Sequence, residues 1–284
     1  MSTSVMIPPT ATPSQANPAT GDIRLSFPRI VRSEWIKFRT LRSTVWTLGI
    51  TVFLMVGIVT LFSAVVASQE TGHDARGSSV FVFTLAADLA QLAVVVLGVL
   101  VITGEYSTGM IRSTLAAVPR RLPALWAKAV VLVAAIFVVS MVAVGLSVAV
   151  MQLFLGSKGL APDLGDSQTV RILIGTALYL TAIALFAFAI GALLRHSAGA
   201  LATVLGLLLV VPTLGVIPWR PLQLITPFLP GAAGSKILLP TQINAMSQGG
   251  VGAVLGPWQG YAVLLAWVAV LLTVAAVLLR RRNA

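Results

Sequence analysis

Cysteine is absent from this 284-residue chain. That excludes disulfides, thiolate zinc sites and thiol catalysis, and it leaves the compartment open. Charge is scarce as well: 10% of the residues are Asp, Glu, Lys or Arg, against about 25% in a soluble domain. Acids are the scarcer sign, eight Asp and Glu against nineteen Lys and Arg. An intramembrane protease or lipid transferase would need paired acids, a His–carboxylate pair or an HExxH helix within the bilayer, and none is found. A phosphate loop of the form GxxxxGK[ST] is missing too. GAAGSK, Gly231 to Lys236, and LGSKG, Leu155 to Gly159, have the wrong order and spacing.

What fills the chain is apolar. Hydrophobic residues make up 57% of it, with a mean hydropathy of +0.97. No water-soluble fold hides that much apolar surface, so lipid is the expected solvent for most of the chain. Six segments reach the roughly 20 apolar residues of a membrane helix: Val45–Ala67, Val80–Ile102, Ala129–Leu155, Ile172–Leu194, Ala198–Ile217 and Trp258–Leu279. The third is long enough to tilt or project. Pro212 should kink or end the fifth. The expected fold is therefore an all-α integral membrane domain over residues 45–284, with six transmembrane helices.

An even number of crossings puts both termini on one side. Fourteen of the nineteen Lys and Arg fall there: in the N-terminal segment, the 102–128 stretch, Arg195 and the C-terminal arginines. By the positive-inside rule that side is the cytoplasm of a multi-pass plasma-membrane protein. The net charge of +11 then serves orientation and contact with the lipid bilayer. No nucleic acid partner is expected, because no loop is long enough for a folded basic module. The first 21 residues are uncharged and rich in Pro, Ser, Thr and Ala. They lack the basic and apolar regions of a secretory signal, and a disordered tail over residues 1–26 is expected.

Residues 27–44 read as an interfacial amphipathic helix. Ile30, Val31, Trp35, Phe38 and Leu41 share one face at 100° per residue, and Arg32, Lys37, Arg39, Thr40 and Ser43 the other. Glu34 falls on the apolar arc and Ile36 on the polar side, so a plain basic lead-in to the first span is the alternative. The stretch ITGEYSTGMIRSTLAAVPRRLPALWAK, residues 102–128, is the other polar island. Thr103 is placed to be an N-cap, with Glu105 in the first turn. Tyr106, Met110, Ile111 and Leu115 recur at near-helical spacing, Pro119 stops the run, and Pro123 opens the third span. So short a helix is unstable in water alone. It lies either in a groove on a partner protein or on the lipid surface.

These residues resemble the permease subunit of type-2 ABC exporters, in particular the small six-span permeases of actinomycetes. In that family a cytoplasmic loop after the second span carries a glutamate, a glycine four residues later, a Pro-Ser/Arg-Arg turn and a lysine entering the third span. Here those positions are Glu105, Gly109, Pro119-Arg120-Arg121 and Lys128, and SEWIKFRTLRS, Ser33 to Ser43, matches the interfacial helix with Glu34 and Lys37 in place. The resemblance covers about residues 28–284. It implies that residues 104–117 form a coupling helix docking on an ATP-binding subunit, with Glu105, Tyr106, Gly109, Met110, Ile111 and Arg112 as the contact set. Glu34, Trp35, Lys37 and Phe38 would form the working face of the interfacial helix. Two ATP-binding subunits and a second permease, identical or paralogous, would complete the complex. This chain would bind no cofactor, and ATP and Mg would sit on the partner subunit, so no enzymatic activity is expected of the permease itself. The alternative within the same architecture is a non-transporting, immunity or stress-response complex that senses or expels membrane-active peptides.

On the outer side, residues 218–257 hold an apolar stretch broken by prolines; the resemblance implies short helices there that dip back into the outer leaflet and plug the path, the alternative being an ordinary amphiphilic loop. Asp88 is the only acid within an expected span, about 12 Å from its outer end at 1.5 Å per residue, with Gln91 one turn on. It either faces the translocation path or a permease–permease interface, or sits at the membrane surface if the span begins later. His73 and His196 fall on opposite sides and cannot share a metal. Ala198, Ala202 and Gly206 are spaced four apart, which permits close helix approach.

Overall fold

The computed structural model describes residues 26–68, 75–107, 121–213, 217, 219–241 and 255–281, and every regular element among them is helical. In chain order the α-helices of five residues or more are α1 (Phe27–Thr40), α2 (Arg42–Ser68), α3 (Ala75–Ser107), α4 (Arg121–Leu155), α5 (Ser167–Leu194), α6 (Ser197–Leu205), α7 (Arg220–Ile225), α8 (Pro230–Gly234) and α9 (Pro257–Arg281). Five of them, α2, α3, α4, α5 and α9, are long and apolar enough to cross a membrane. Phe53, Leu61 and Leu153 point outward, as side chains bathed in lipid do. The architecture is that of a multi-pass α-helical membrane protein.

The crossing expected at Ala198–Ile217 is not among the long helices. The described part of the apolar helix there, Ser197 to Thr213, covers about 25 Å of a hydrocarbon layer of about 30 Å, and residues 214–216 lie outside the described residues. Its backbone widens into a π turn over Gly206–Val210, where Val211 N–H donates to Gly206 O. Pro212 explains the widening: it has no N–H for Leu208 O, and its ring would strike that carbonyl in a tight helix. The small residues do not mark the packed face. Ala200, Val204 and Leu208 are buried, while Ala198 and Ala202 are exposed.

α3 and α5 run side by side in the same direction and form the core. Close approach depends on glycine: a Cβ on Gly98 would lie 2.4 Å from Ala184 O, and one on Gly191 2.8 Å from Ile102 Cγ2. Phe83, Tyr179, Phe186 and Phe188 fill the space around this seam. α2 and α4 flank it, and α9 closes the far side of α5. α5 begins at Asp166, whose carboxylate accepts from the N–H groups of Gln168 and Thr169, and ends at Arg195 with φ 56°. His196 caps the next helix, its Nδ1 accepting from Gly199 N–H at 3.2 Å. One end of the bundle thus carries α1, the start of α2 and α4, and the ends of α3 and α5. The other carries the start of α5, α8 and the start of α9.

Candidate functional site

The site is built where α1 meets the bundle. Pro28 fits the first turn of α1, where a missing N–H costs nothing. Three residues of α1 are buried, Ile30, Glu34 and Phe38, spaced so that one stripe faces α4. Trp35 is 43% exposed beside that stripe, stacked on Phe38 with ring centroids 6.4 Å apart. Glu34, which broke the amphipathic pattern, therefore points into protein. What receives it is Lys128, in the second turn of α4.

Lys128 Nζ lies 2.6 Å from Glu34 Oε2 and 2.6 Å from Glu105 Oε1. Lys37 Nζ adds longer contacts, 3.4 Å to Glu34 Oε1 and 3.6 Å to Glu105 Oε1. Glu34, Glu105 and Lys128 are 7%, 8% and 5% exposed. Two carboxylates and two ammonium groups thus balance within one buried cluster, which joins α1, the end of α3 and the start of α4. A cluster of this kind adds little net stability over apolar packing, but losing one member leaves an unpaired buried charge. It fixes the three helix ends in one relative position. Glu105 Oε2 is buried without a hydrogen-bond partner among the described residues.

This corrects the reading of residues 102–107. α3 continues unbroken through Ser107, so Thr103 is not an N-cap: it lies inside the helix and its hydroxyl donates to Val99 O at 2.9 Å. Glu105 sits in the last turn of α3 rather than the first turn of a separate helix, because Lys128 and Lys37 draw it inward. Tyr106 follows it, half-buried, with the Arg195 guanidinium 5.4 Å above its ring. Gly109, Met110, Ile111 and Arg112, with Pro119 and Arg120, lie outside the described residues. The expected 104–117 helix is thus described only at its first residues, and those belong to α3. His73 lies outside the described residues as well.

Asp88 and Gln91 meet a residue that the sequence reading passed over. Tyr179 donates to Gln91 Oε1 at 2.8 Å, and Gln91 Nε2 is 3.5 Å from Asp88 Oδ1. Tyr179 is fully buried, Gln91 nearly so, and Asp88 only partly. A short polar chain thus runs from the α3–α5 seam to the carboxylate of Asp88. No match of depth would have paired them, since Gln91 lies 11 residues past Val80 and Tyr179 7 past Ile172 in the expected spans.

Nearer the far end, three consecutive carbonyls after α8 are held by side chains. Arg171 donates to Ile237 O and Leu239 O at 3.3 and 3.1 Å, and Thr84 to Leu238 O at 3.0 Å. The glycines of GAAGSK serve packing here: a Cβ on Gly234 would lie 2.6 Å from Leu264 Cδ2 and 3.0 Å from Tyr179 Cε2. Pro230–Leu238 is thereby packed among α5, α9 and the π turn.

No protein-family model matches the sequence, and no curated protein matches it.

Proposed function

We propose that this chain is the permease subunit of an ATP-driven type-2 ABC exporter, forming the path across a bacterial plasma membrane and taking its energy from a separate ATP-binding subunit. The observation that carries this reading is the buried Glu34–Lys128–Glu105–Lys37 cluster. Those four residues are among the ones that carry the family resemblance, and they converge in space although 94 positions separate Glu34 from Lys128. In the chain, residues 108–120 connect the end of α3, just past Glu105 and Tyr106, to the start of α4 at Arg121. A push on that stretch from below reaches α3, α4 and α1 together, because the cluster locks their ends.

The mechanism follows from this coupling. Two ATP-binding subunits, holding ATP and Mg, close on nucleotide and press on residues 108–117 of two permeases. The locked unit tilts, and the path shifts from inward- to outward-facing. Such a shift requires the closed ATPase pair to bind one permease state more tightly than the other. Asp88 and Gln91 are placed on the path or between permeases. In this reading both termini and the α1 end face the cytoplasm, where the basic residues gather.

Co-purification with an ATP-binding subunit encoded beside this chain tests the reading. Met110→Asp should reduce recovery of that subunit about tenfold, the effect of losing one buried anchor, without changing the elution volume of the permease. Full recovery with Met110→Asp would remove the docking role from this stretch.

A further inference from the structure

A cavity of about 460 Å³ lies beside the ion cluster, at the elbow where α1 turns into α2. We propose that it holds the phosphate headgroup of a membrane phospholipid. The elbow is made by Leu41, whose ψ of 118° breaks the helix between Thr40 and Arg42. α2 therefore starts abruptly, and its first i→i−4 bond is made by Val45 N–H to Leu41 O. The N–H groups of Arg42, Ser43 and Thr44 precede that bond and have no acceptor within the helix. A 27-residue helix adds the positive end of its dipole at the same place.

A second observation points to a ligand. Thr44 lines the cavity and is only 3% exposed, yet its hydroxyl meets no hydrogen-bond partner among the described residues. Ser43, an exposed residue of the wall, adds a second hydroxyl. Lys37 lines the cavity as well, with its side chain 37% exposed and its contacts to the carboxylates long, 3.4 and 3.6 Å. Backbone N–H groups, two hydroxyls and an ammonium form a donor set suited to phosphate oxygens. The carboxylates of Glu34 and Glu105 face the same cavity; Lys128 and Lys37 together balance their two charges, so the net attraction for a phosphate comes from the α2 N-terminus and the hydroxyls.

The rest of the wall separates a lipid from free phosphate. Leu97, Leu100, Val101 and Val131 line it, an apolar surface that a small anion leaves uncovered and a glycerol with the start of an acyl chain covers. The location agrees, because a helix lying along the bundle and then turning into a spanning helix places its elbow at headgroup depth. The proposal rests on the multi-pass architecture alone and is independent of any ATP-binding partner.

The test uses the purified full-length chain in detergent and native mass spectrometry. The probes are dihexanoyl-phosphatidylglycerol, dihexanoylglycerol and inorganic phosphate. The phospholipid should bind as a single saturable copy, at least about tenfold more tightly than either fragment. Thr44→Leu, which removes the hydroxyl and fills the space, should weaken it by about tenfold, and Thr44→Ser should retain it. Leu100→Trp, narrowing the cavity from the opposite wall, should act as Thr44→Leu does. Equal binding of dihexanoylglycerol would reduce the site to an apolar groove and overturn the proposal. Equal binding of inorganic phosphate would overturn the lipid assignment, and unchanged phospholipid binding in both cavity-filling variants would overturn the site.

Discussion

Replacing Lys128 by methionine keeps the length of the side chain and removes the charge that Glu34 and Glu105 share. Both carboxylate oxygens lie 2.6 Å from one nitrogen, so without it two negative charges face each other across at most about 5 Å. At an effective dielectric of about 20 that repulsion is roughly 3 kcal/mol. Removing one partner of a buried pair costs about 3–5 kcal/mol in general. Lys37 remains, 3.4 and 3.6 Å from the two acids, and offsets part of the loss, which leaves an expected cost of about 2–4 kcal/mol. The second substitution, Glu105→Gln, removes one of the repelling charges. Lys128→Met with Glu105→Gln should therefore be more stable than Lys128→Met alone by about 1 kcal/mol or more. Lys37→Met, at the exposed rim, should cost under about 1 kcal/mol. Reversible unfolding in mixed micelles, titrated with SDS, measures wild type, these three variants and Glu105→Gln alone, which closes the cycle. A Lys128→Met protein within about 0.5 kcal/mol of wild type, or additive effects in the double variant, would refute the shared-charge argument.

Glycine positions give a paired prediction: Gly98→Ala meets Ala184 O at 2.4 Å and should cost about 1–3 kcal/mol by overpacking. Gly57→Ala meets nothing within 4 Å and should be neutral or slightly stabilising in the same titration. Arg171→Ala strips the donors from Ile237 O and Leu239 O, so backbone amides of residues 235–241 should exchange faster by hydrogen–deuterium mass spectrometry, with exchange in α3 unchanged. Asp166 is held below the usual carboxylate range by the N–H of Gln168, then by the hydroxyl and N–H of Thr169. A depressed folded pKa means that its contribution is present above the unfolded value of about 3.9 and is lost as pH falls through the folded value. Asp166→Ala should therefore be less stable than wild type at neutral pH, and the gap should narrow below about pH 4.

Composition made the membrane architecture legible, because lipid-facing spans need only length and apolarity. The crossing expected at Ala198–Ile217 is met by an apolar helix over 197–213 whose geometry hydropathy alone does not show: it counts Leu207–Val211 as plain span, while Pro212 limits the backbone those residues can take. The boundary at Thr103 was misjudged because capping residues and buried threonines look alike in sequence, and only Lys128, 23 positions on, shows that Glu105 belongs inside. Glu34 was visible as a fault in an amphipathic pattern; its partners were not, since a charge pair between distant helices leaves no periodic trace. Tyr179 and Arg171 were silent for the same reason. Their acceptors are a glutamine on another helix and the carbonyls of a distant segment.

The absence of cysteine from the native chain makes the most direct test simple. Met110→Cys supplies one thiol, to be labelled with a membrane-impermeant maleimide in intact and permeabilised cells, with and without the ATP-binding subunit. Labelling only after permeabilisation, and protection when the subunit is bound, is the expected result. Labelling from outside intact cells, or reactivity indifferent to the subunit, would contradict a cytoplasmic docking stretch held between α3 and α4.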